Sequence, residues 1–275
     1  MVTQIQAVQY YLDLYLSGAI YVWGMNAPEI ITSKSIMDAF EIYGNKTYDR
    51  AYYEAKLKEG YGRIGSDCSG AHHGISGYDA TAQGYYNKCI AKAKTTAMSD
   101  DKVFVLFNGK AENKIVHTGV FIPELGEFHM KSSKANSVLE EFNKKTFKYF
   151  GYADFINYNS KDFVLKEHYD MWVKLLQFEL NKAHNTNLVI DGIFGSKTLE
   201  ATKSIGYLKK GSKGVFVRLL QIFLNTLYGN ILETDGVFGK ATQEQVMRFQ
   251  RNNRLEVDGI VGSATWNTIK KMVAL

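Results

Sequence analysis

The chain has little cysteine, little proline and no long apolar run. Its two cysteines, Cys68 and Cys89, are too few for a disulfide framework. No apolar stretch reaches membrane-spanning length, which argues against membrane insertion. The start, Met1-Val2-Thr3-Gln4, lacks a basic segment followed by an apolar core, so no signal peptide is read. No Lys/Arg cluster approaches a nucleic-acid tract, and the net charge of +5 is only mildly basic, so nucleic acid is discounted as a partner. Proline occurs twice and lysine far outnumbers arginine, a bias compatible with an AT-rich genome. What remains is 275 residues with 45% apolar and 22% charged content, enough for two or three small globular domains.

The chemistry-bearing stretch is Asp67-Cys68-Ser69-Gly70, which follows a loop with Gly60, Gly62 and Gly65. A run that could open a helix comes after it. A thiol at a helix N-terminus faces unpaired N–H groups and the positive dipole end, and both favour the nucleophilic thiolate. The plainer reading, a buried packing cysteine, fits Cys89 better than Cys68, because Asp67 and Ser69 make the surroundings of Cys68 polar.

Candidate bases lie downstream. Val103 to Phe107 reads as a buried strand, Ile115 to Ile122 as a second, and Gly126 to Met130 as a third. His117 and His129 lie on the second and third. Adjacent antiparallel strands can set the two imidazoles side by side, one taking the Cys68 proton and the other orienting it. Either histidine alone is more simply a satisfied strand residue; the three together favour catalysis. His72 and His73 follow the cysteine, on or near a short helix and close enough to perturb the thiol. Spacing brings no further ligands within reach, so no metal or other cofactor is expected.

In order, Tyr21-Val22-Trp23-Gly24, Asp67-Cys68-Ser69-Gly70, His117-Thr118-Gly119-Val120 and His129 resemble the NlpC-type cysteine peptidases, papain-like enzymes that cut bacterial cell-wall peptides. The resemblance covers roughly residues 1 to 158. It implies an α+β papain-like domain, with helices packed on a small antiparallel sheet. It makes Cys68 the nucleophile, His117 the base and His129 the residue that orients the base. Tyr21 would lie in the cleft near the oxyanion, and Asp67 and Ser69 would flank the substrate. Met25 stands where the family has a second glycine, and the insertion before Asp67 is longer than usual. Within it, Ser33 to Tyr43 and Thr47 to Lys58 read as helices, equally a decorative pair or a wall of the groove. Thr3 to Ser17 reads as an earlier helix, N-capped by Thr3 and stopped by Gly18.

Phe147 to Tyr158 reads as a last strand, and the polar Asn159 to Asp162 marks a domain boundary. An internal repeat follows. Leu175-Leu176-Gln177 and Asp191-Gly192-Ile193-Phe194-Gly195 recur in one register as Leu219-Leu220-Gln221 and Asp235-Gly236-Val237-Phe238-Gly239. A third loop, Asp258-Gly259-Ile260-Val261-Gly262, comes later. In each, Asp can bond the following backbone and Gly permits a positive φ. Thr242 with Gln245 has the form of a capping box. This half resembles the small three-helix peptidoglycan-binding domain. Residues 209 to 275 look like a complete copy; residues 166 to 208 look like a shortened one that shares its neighbour's core.

Together the resemblances imply an endolysin-like peptidoglycan hydrolase. It would cut an amide of the stem peptide, usually γ-D-glutamyl to diamino acid, while the C-terminal half binds the wall. The mild positive charge suits an anionic wall. The competing readings are an N-acetylmuramoyl-L-alanine amidase with the same Cys-His chemistry, and a wall-binding structural protein with an inactive catalytic fold. Without a signal peptide, such an enzyme would wait in the host cytoplasm until a membrane hole released it to the wall, as phage lysis enzymes do.

Overall fold

The computed structural model describes residues 1–274, divided into two units, Met1–Phe163 and Val164–Leu275. The first unit opens with strand β1 (Val2–Thr3) and helix α1 (Gln4–Leu16). Thr3 and Gln6 form a reciprocal capping box, which stops the chain from fraying at the first turn. The helix buries Ala7, Val8, Tyr11, Leu12 and Tyr15, spaced by three and four. Strand β2 (Ile20–Tyr21) follows, then the insertion as α2 (Ser33–Tyr43) and α3 (Arg50–Gly60), and strand β3 (Gly65–Ser66). Strands β2 and β3 run parallel, with Tyr21 beside Ser66. Ile20, Val22, Met25, Ile31, Ile36, Ala39 and Tyr53 close a separate core beneath the insertion.

A 3₁₀ turn (Gly70–His72), the four-residue α4 (His73–Ser76) and α5 (Ala82–Lys88) lead to the main sheet. Its strands are β4 (Ala91–Lys94), β5 (Phe104–Gly109), β6 (Ile115–Ile122), β7 (Gly126–Ser132), β8 (Asn136–Glu140) and β9 (Tyr149–Tyr152). They are antiparallel throughout, in the order β4-β9-β5-β6-β7-β8. The fold of this unit is thus mixed, a six-stranded antiparallel sheet with helices. The segment read as a last strand splits in two. Strand β9 lies inside the sheet between β4 and β5, and β10 (Ile156–Asn157) pairs in parallel with β1. Residues beyond 158 stay with this unit because Ser160 and Asp162 bond Gln4 of α1, and Asp162 also pairs with Lys102.

The second unit is helical: α6 (Tyr169–His184), α7 (Ser196–Ala201), α8 (Val215–Tyr228), α9 (Lys240–Asn252) and α10 (Ser263–Val273). One buried glutamine organises each Asp-Gly loop. Gln177 Nε2 donates to Asp191 Oδ1 (2.8 Å) and to the Ile193 carbonyl (3.1 Å), and its Oε1 accepts from Gly192 N–H (3.0 Å). Gln221 repeats this with Asp235, Val237 and Gly236, and Gln250 with Asp258, Ile260 and Gly259. Gly192, Gly236 and Gly259 all take φ between 70° and 79°, the left-handed region where a side chain is strained. The capping box read at Thr242 does not form. Gly239 is the N-cap of α9, and Thr242 instead faces inward to the Gln221 amide (3.2 Å). The two copies share one core: Trp172 of α6 donates its Nε1–H to the Leu219 carbonyl of α8 at 3.0 Å and packs on Phe223. No helix among the described residues is long and apolar enough to cross a membrane.

Candidate functional site

One carboxylate holds the thiol-bearing turn together. Asp67 Oδ1 accepts from the Ser69 N–H (2.9 Å), the Ser69 hydroxyl (2.9 Å) and the Gly70 N–H (2.8 Å). Its Oδ2 accepts from the Gly24 N–H at 3.0 Å. Backbone bonds from Asp67 to Met25 and from Ala27 to Gly70 complete the clamp. A Cβ on Gly70 would lie 2.1 Å from the Met25 carbonyl oxygen, so only glycine fits there. Trp23-Gly24-Met25 and Asp67-Cys68-Ser69-Gly70 are therefore one rigid piece, although some forty residues of chain separate them. Asp67 and Ser69 both border the cavity described next, but these bonds commit their polar atoms to the turn.

Cys68 opens onto a cavity of about 500 Å³, bordered by Trp23, Asp67, Ser69, Asp79, Val116 and Tyr43. Tyr43 comes from α2, so the insertion supplies part of this wall. Burial pushes the Cys68 thiol up to about 12, and the Asp67 carboxylate adds to the rise. The N–H groups of Thr118, Ser69 and Cys68 itself pull the other way and lose. The expected helix-terminus effect is thus overturned. A 3₁₀ turn and a four-residue helix follow Cys68, too little aligned backbone to offset desolvation. Tyr21 lies near the thiol. Burial, then Cys68 and Asp67, hold its phenol far above the usual range, so it stays a protonated donor.

Strands β6 and β7 bring the two histidines into contact, His117 Nε2 to His129 Nδ1 at 2.7 Å. Gly119 makes this geometry possible: a Cβ there would lie 2.8 Å from the His129 Cβ. The relay continues to a residue the sequence did not announce. His129 Nε2 lies 3.4 Å from Glu140 Oε1, and Lys131 Nζ lies 2.6 Å from the same oxygen. The His129 bond, with Lys131 behind it, holds the Glu140 carboxyl down to about 2. An ionised carboxylate only accepts, so His129 donates from Nε2, and in its neutral form it accepts at Nδ1. His117 must then donate from Nε2, which leaves its Nδ1 as the basic atom. Burial, then His129 and Lys131, push His117 down to about 3, so the ring is neutral across the ordinary pH range. The Thr118 N–H lowers the Cys68 thiol, so this strand lies close to the sulfur.

His72 does not join a metal site with Cys68. It is fully buried between the Tyr11 hydroxyl (Nδ1, 2.8 Å) and Thr118 Oγ1 (Nε2, 2.9 Å), and Thr118 donates onward to the Leu106 carbonyl. That chain of bonds ties α1 and the 3₁₀ turn to the sheet. His73 instead meets Asp79 at 2.7 Å beside the cavity. Cys89 is a packing residue against Gly151. Among the described residues, Glu127, His129 and Glu140 offer ligand atoms within 4.8 Å of one another. The Lys131 ammonium already neutralises Glu140, and the nitrogen of His129 that faces the carboxylates, Nε2, lies 3.4 Å from the same Glu140 oxygen, so these groups already satisfy one another.

Comparison with known proteins places one region. Residues 213–269 match the family model of a peptidoglycan binding domain. The match spans α8, α9 and most of α10. Among solved structures, the chain is similar to a crystal structure of a peptidoglycan-binding protein from Clostridioides difficile in complex with glutamine hydroxamate, with 36% identity and a TM-score of 0.23. That similarity covers 24% of this chain and 42% of the other, so the chain spans under half the length of that protein. No curated protein matches the chain.

Proposed function

We propose that the protein is a cell-wall hydrolase, in which an NlpC-type, papain-like cysteine peptidase unit is carried to peptidoglycan by the C-terminal helical unit. The observations that carry this reading are the linked His117, His129 and Glu140 on the sheet and the Cys68 thiol lining the cavity, with Thr118, the residue after His117, close enough to that sulfur to lower its pKa. The peptidoglycan-binding family match at 213–269 supports the substrate class. His117 Nδ1 takes the Cys68 proton as sulfur attacks the amide carbonyl carbon. The C–N bond then breaks, and the proton passes from His117 to the departing amine. Water, deprotonated by His117, cleaves the thioester and returns the thiol. Tyr21 donates to the developing oxyanion.

The test is digestion of purified peptidoglycan with mass spectrometry of the fragments. Free amino termini on the diamino acid are expected. New L-alanine termini would make the enzyme an amidase, and no release by the intact protein would leave a wall-binding protein without activity.

Two further results are expected. The reactive form needs one proton shared between Cys68 and His117, and the pair keeps that proton from about pH 3 to about 12. The profile of kcat/KM on a soluble stem peptide should therefore be flat between about pH 5 and 9. An acid limb centred near the ordinary imidazole value of about 6.5 would overturn the buried, neutral base. Replacing Glu140 with Gln weakens the acceptor that fixes the His129 tautomer. A drop of about 10-fold in kcat with KM little changed is expected, and an unchanged kcat would remove Glu140 from the relay.

A further inference from the structure

A second concave site lies within the C-terminal unit, at the seam between the shortened copy and the last helix. Two adjoining hollows, of about 240 and 470 Å³, share Thr202, Lys203 and Ser263 and so form one groove. The Leu208 and Val261 backbones exchange hydrogen bonds of 3.1 and 2.8 Å across this seam. That bridge holds Tyr207 against Gly262, where a Cβ would lie 2.9 Å from the tyrosine ring. Tyr207 nevertheless remains 72% exposed, a large aromatic ring presented to solvent by its backbone.

The floor contains Trp266, which is 1% exposed. Its Nε1–H is buried and has no acceptor among the described residues. The contrast with Trp172 is sharp, since that equally buried indole donates to the Leu219 carbonyl. A buried donor without a partner is costly, and such groups are rare in folded proteins.

We propose that this groove is a subsite for an N-acetylated hexosamine of the wall glycan. This rests on the wall-binding reading above. A sugar face rests on the exposed Tyr207 ring, whose π-face attracts C–H groups, and its acetamido carbonyl reaches the sealed Trp266 Nε1–H once the sugar displaces the lining over it. Charge favours a sugar over the stem peptide. Lys203 is paired with Glu200 at 2.6 Å, so the groove presents no net charge to a peptide carboxylate. Ser263 and Asn267 add neutral hydrogen-bonding groups suited to hydroxyls. The groove draws on residues 196–207 as well as on α10, so it needs the shortened copy, outside the family match at 213–269.

The test uses the full chain as Cys68→Ala, titrated with β-1,4-linked N-acetylglucosamine tetramer. The readout is the indole N–H resonances of the three tryptophans, with Trp266 assigned through Trp266→Phe. A saturable shift of the Trp266 resonance is expected, at least about 10-fold weaker in Tyr207→Ala, with a stem tetrapeptide leaving it unmoved. No shift at millimolar tetramer, or a shift with the peptide instead, would overturn the proposal. Pelleting of the same protein on purified walls separates the two readings. If it pellets but does not answer to the tetramer, the wall-binding reading stands and the groove fails. If it answers to the tetramer but does not pellet, the groove stands and the wall-binding reading fails.

Discussion

Cys68→Ala is expected to abolish hydrolysis of purified walls, by more than about 10³-fold, while far-ultraviolet dichroism and thermal unfolding stay close to wild type. The side chain is small and borders an existing cavity, so its loss leaves little new void. The turn itself is held by Asp67 and Gly70, neither of which needs the sulfur. His117→Ala should be nearly as damaging, because a thiol held up near 12 then loses the base assigned to take its proton. His129→Ala should cost less, since His117 keeps its place on β6 and loses only the acceptor for its Nε2–H. Wild-type turbidity loss by Cys68→Ala in a clean assay would end the thiol mechanism. An essential His129 with a dispensable His117 would reverse the assigned roles.

The second large effect concerns the C-terminal unit. Residues 164–275, expressed alone, are expected to unfold in one cooperative transition and to pellet with purified walls without cutting them. The shortened copy is part of the core, so residues 209–275 alone should be far less stable. Trp172→Ala tests the cause directly. It removes the largest side chain that α6 buries on α8 and leaves the Leu219 carbonyl without its donor. A loss of about 4 kcal/mol is expected, roughly 15 °C in Tm for a domain of this size. A change under about 1 kcal/mol, or two separate transitions in the intact unit, would mean that the copies fold independently. A folded unit that stays in the supernatant would make the repeat structural and end the wall-binding reading.

Much of the local architecture was legible. The Thr3 N-cap, the apolar spacing of α1 and the run Ser33–Tyr43 are written within a turn or two of chain, and the helices form there. The repeated Asp-Gly loops announced their positive φ for the same reason, since glycine at φ near 70° answers to its own backbone. The next level was not legible. The β8 segment, Asn136–Glu140, is short and half-buried along its length, so nothing in it marks a strand; with it went Glu140. The edge strand Ala91–Lys94 is mostly exposed and forms because Tyr149–Tyr152 offers it hydrogen bonds. Gln177, Gln221 and Gln250 were visible only as repeated or ordinary glutamines, and their role in clamping each loop needs the loop folded back on the helix.

The sequence by itself determined which residues could act: one thiol in a polar turn, two histidines on neighbouring strands and a register of Asp-Gly loops. Those depend on residue type, spacing and backbone preference, which act over a few positions. Only the tertiary structure decided what surrounds them. It buried Cys68 enough to raise its thiol, linked His117 to Glu140 through His129, and joined a shortened and a complete repeat around Trp172. Desolvation, cross-strand hydrogen bonding and core packing are set by groups far apart in the chain, so they exist only once the chain has folded.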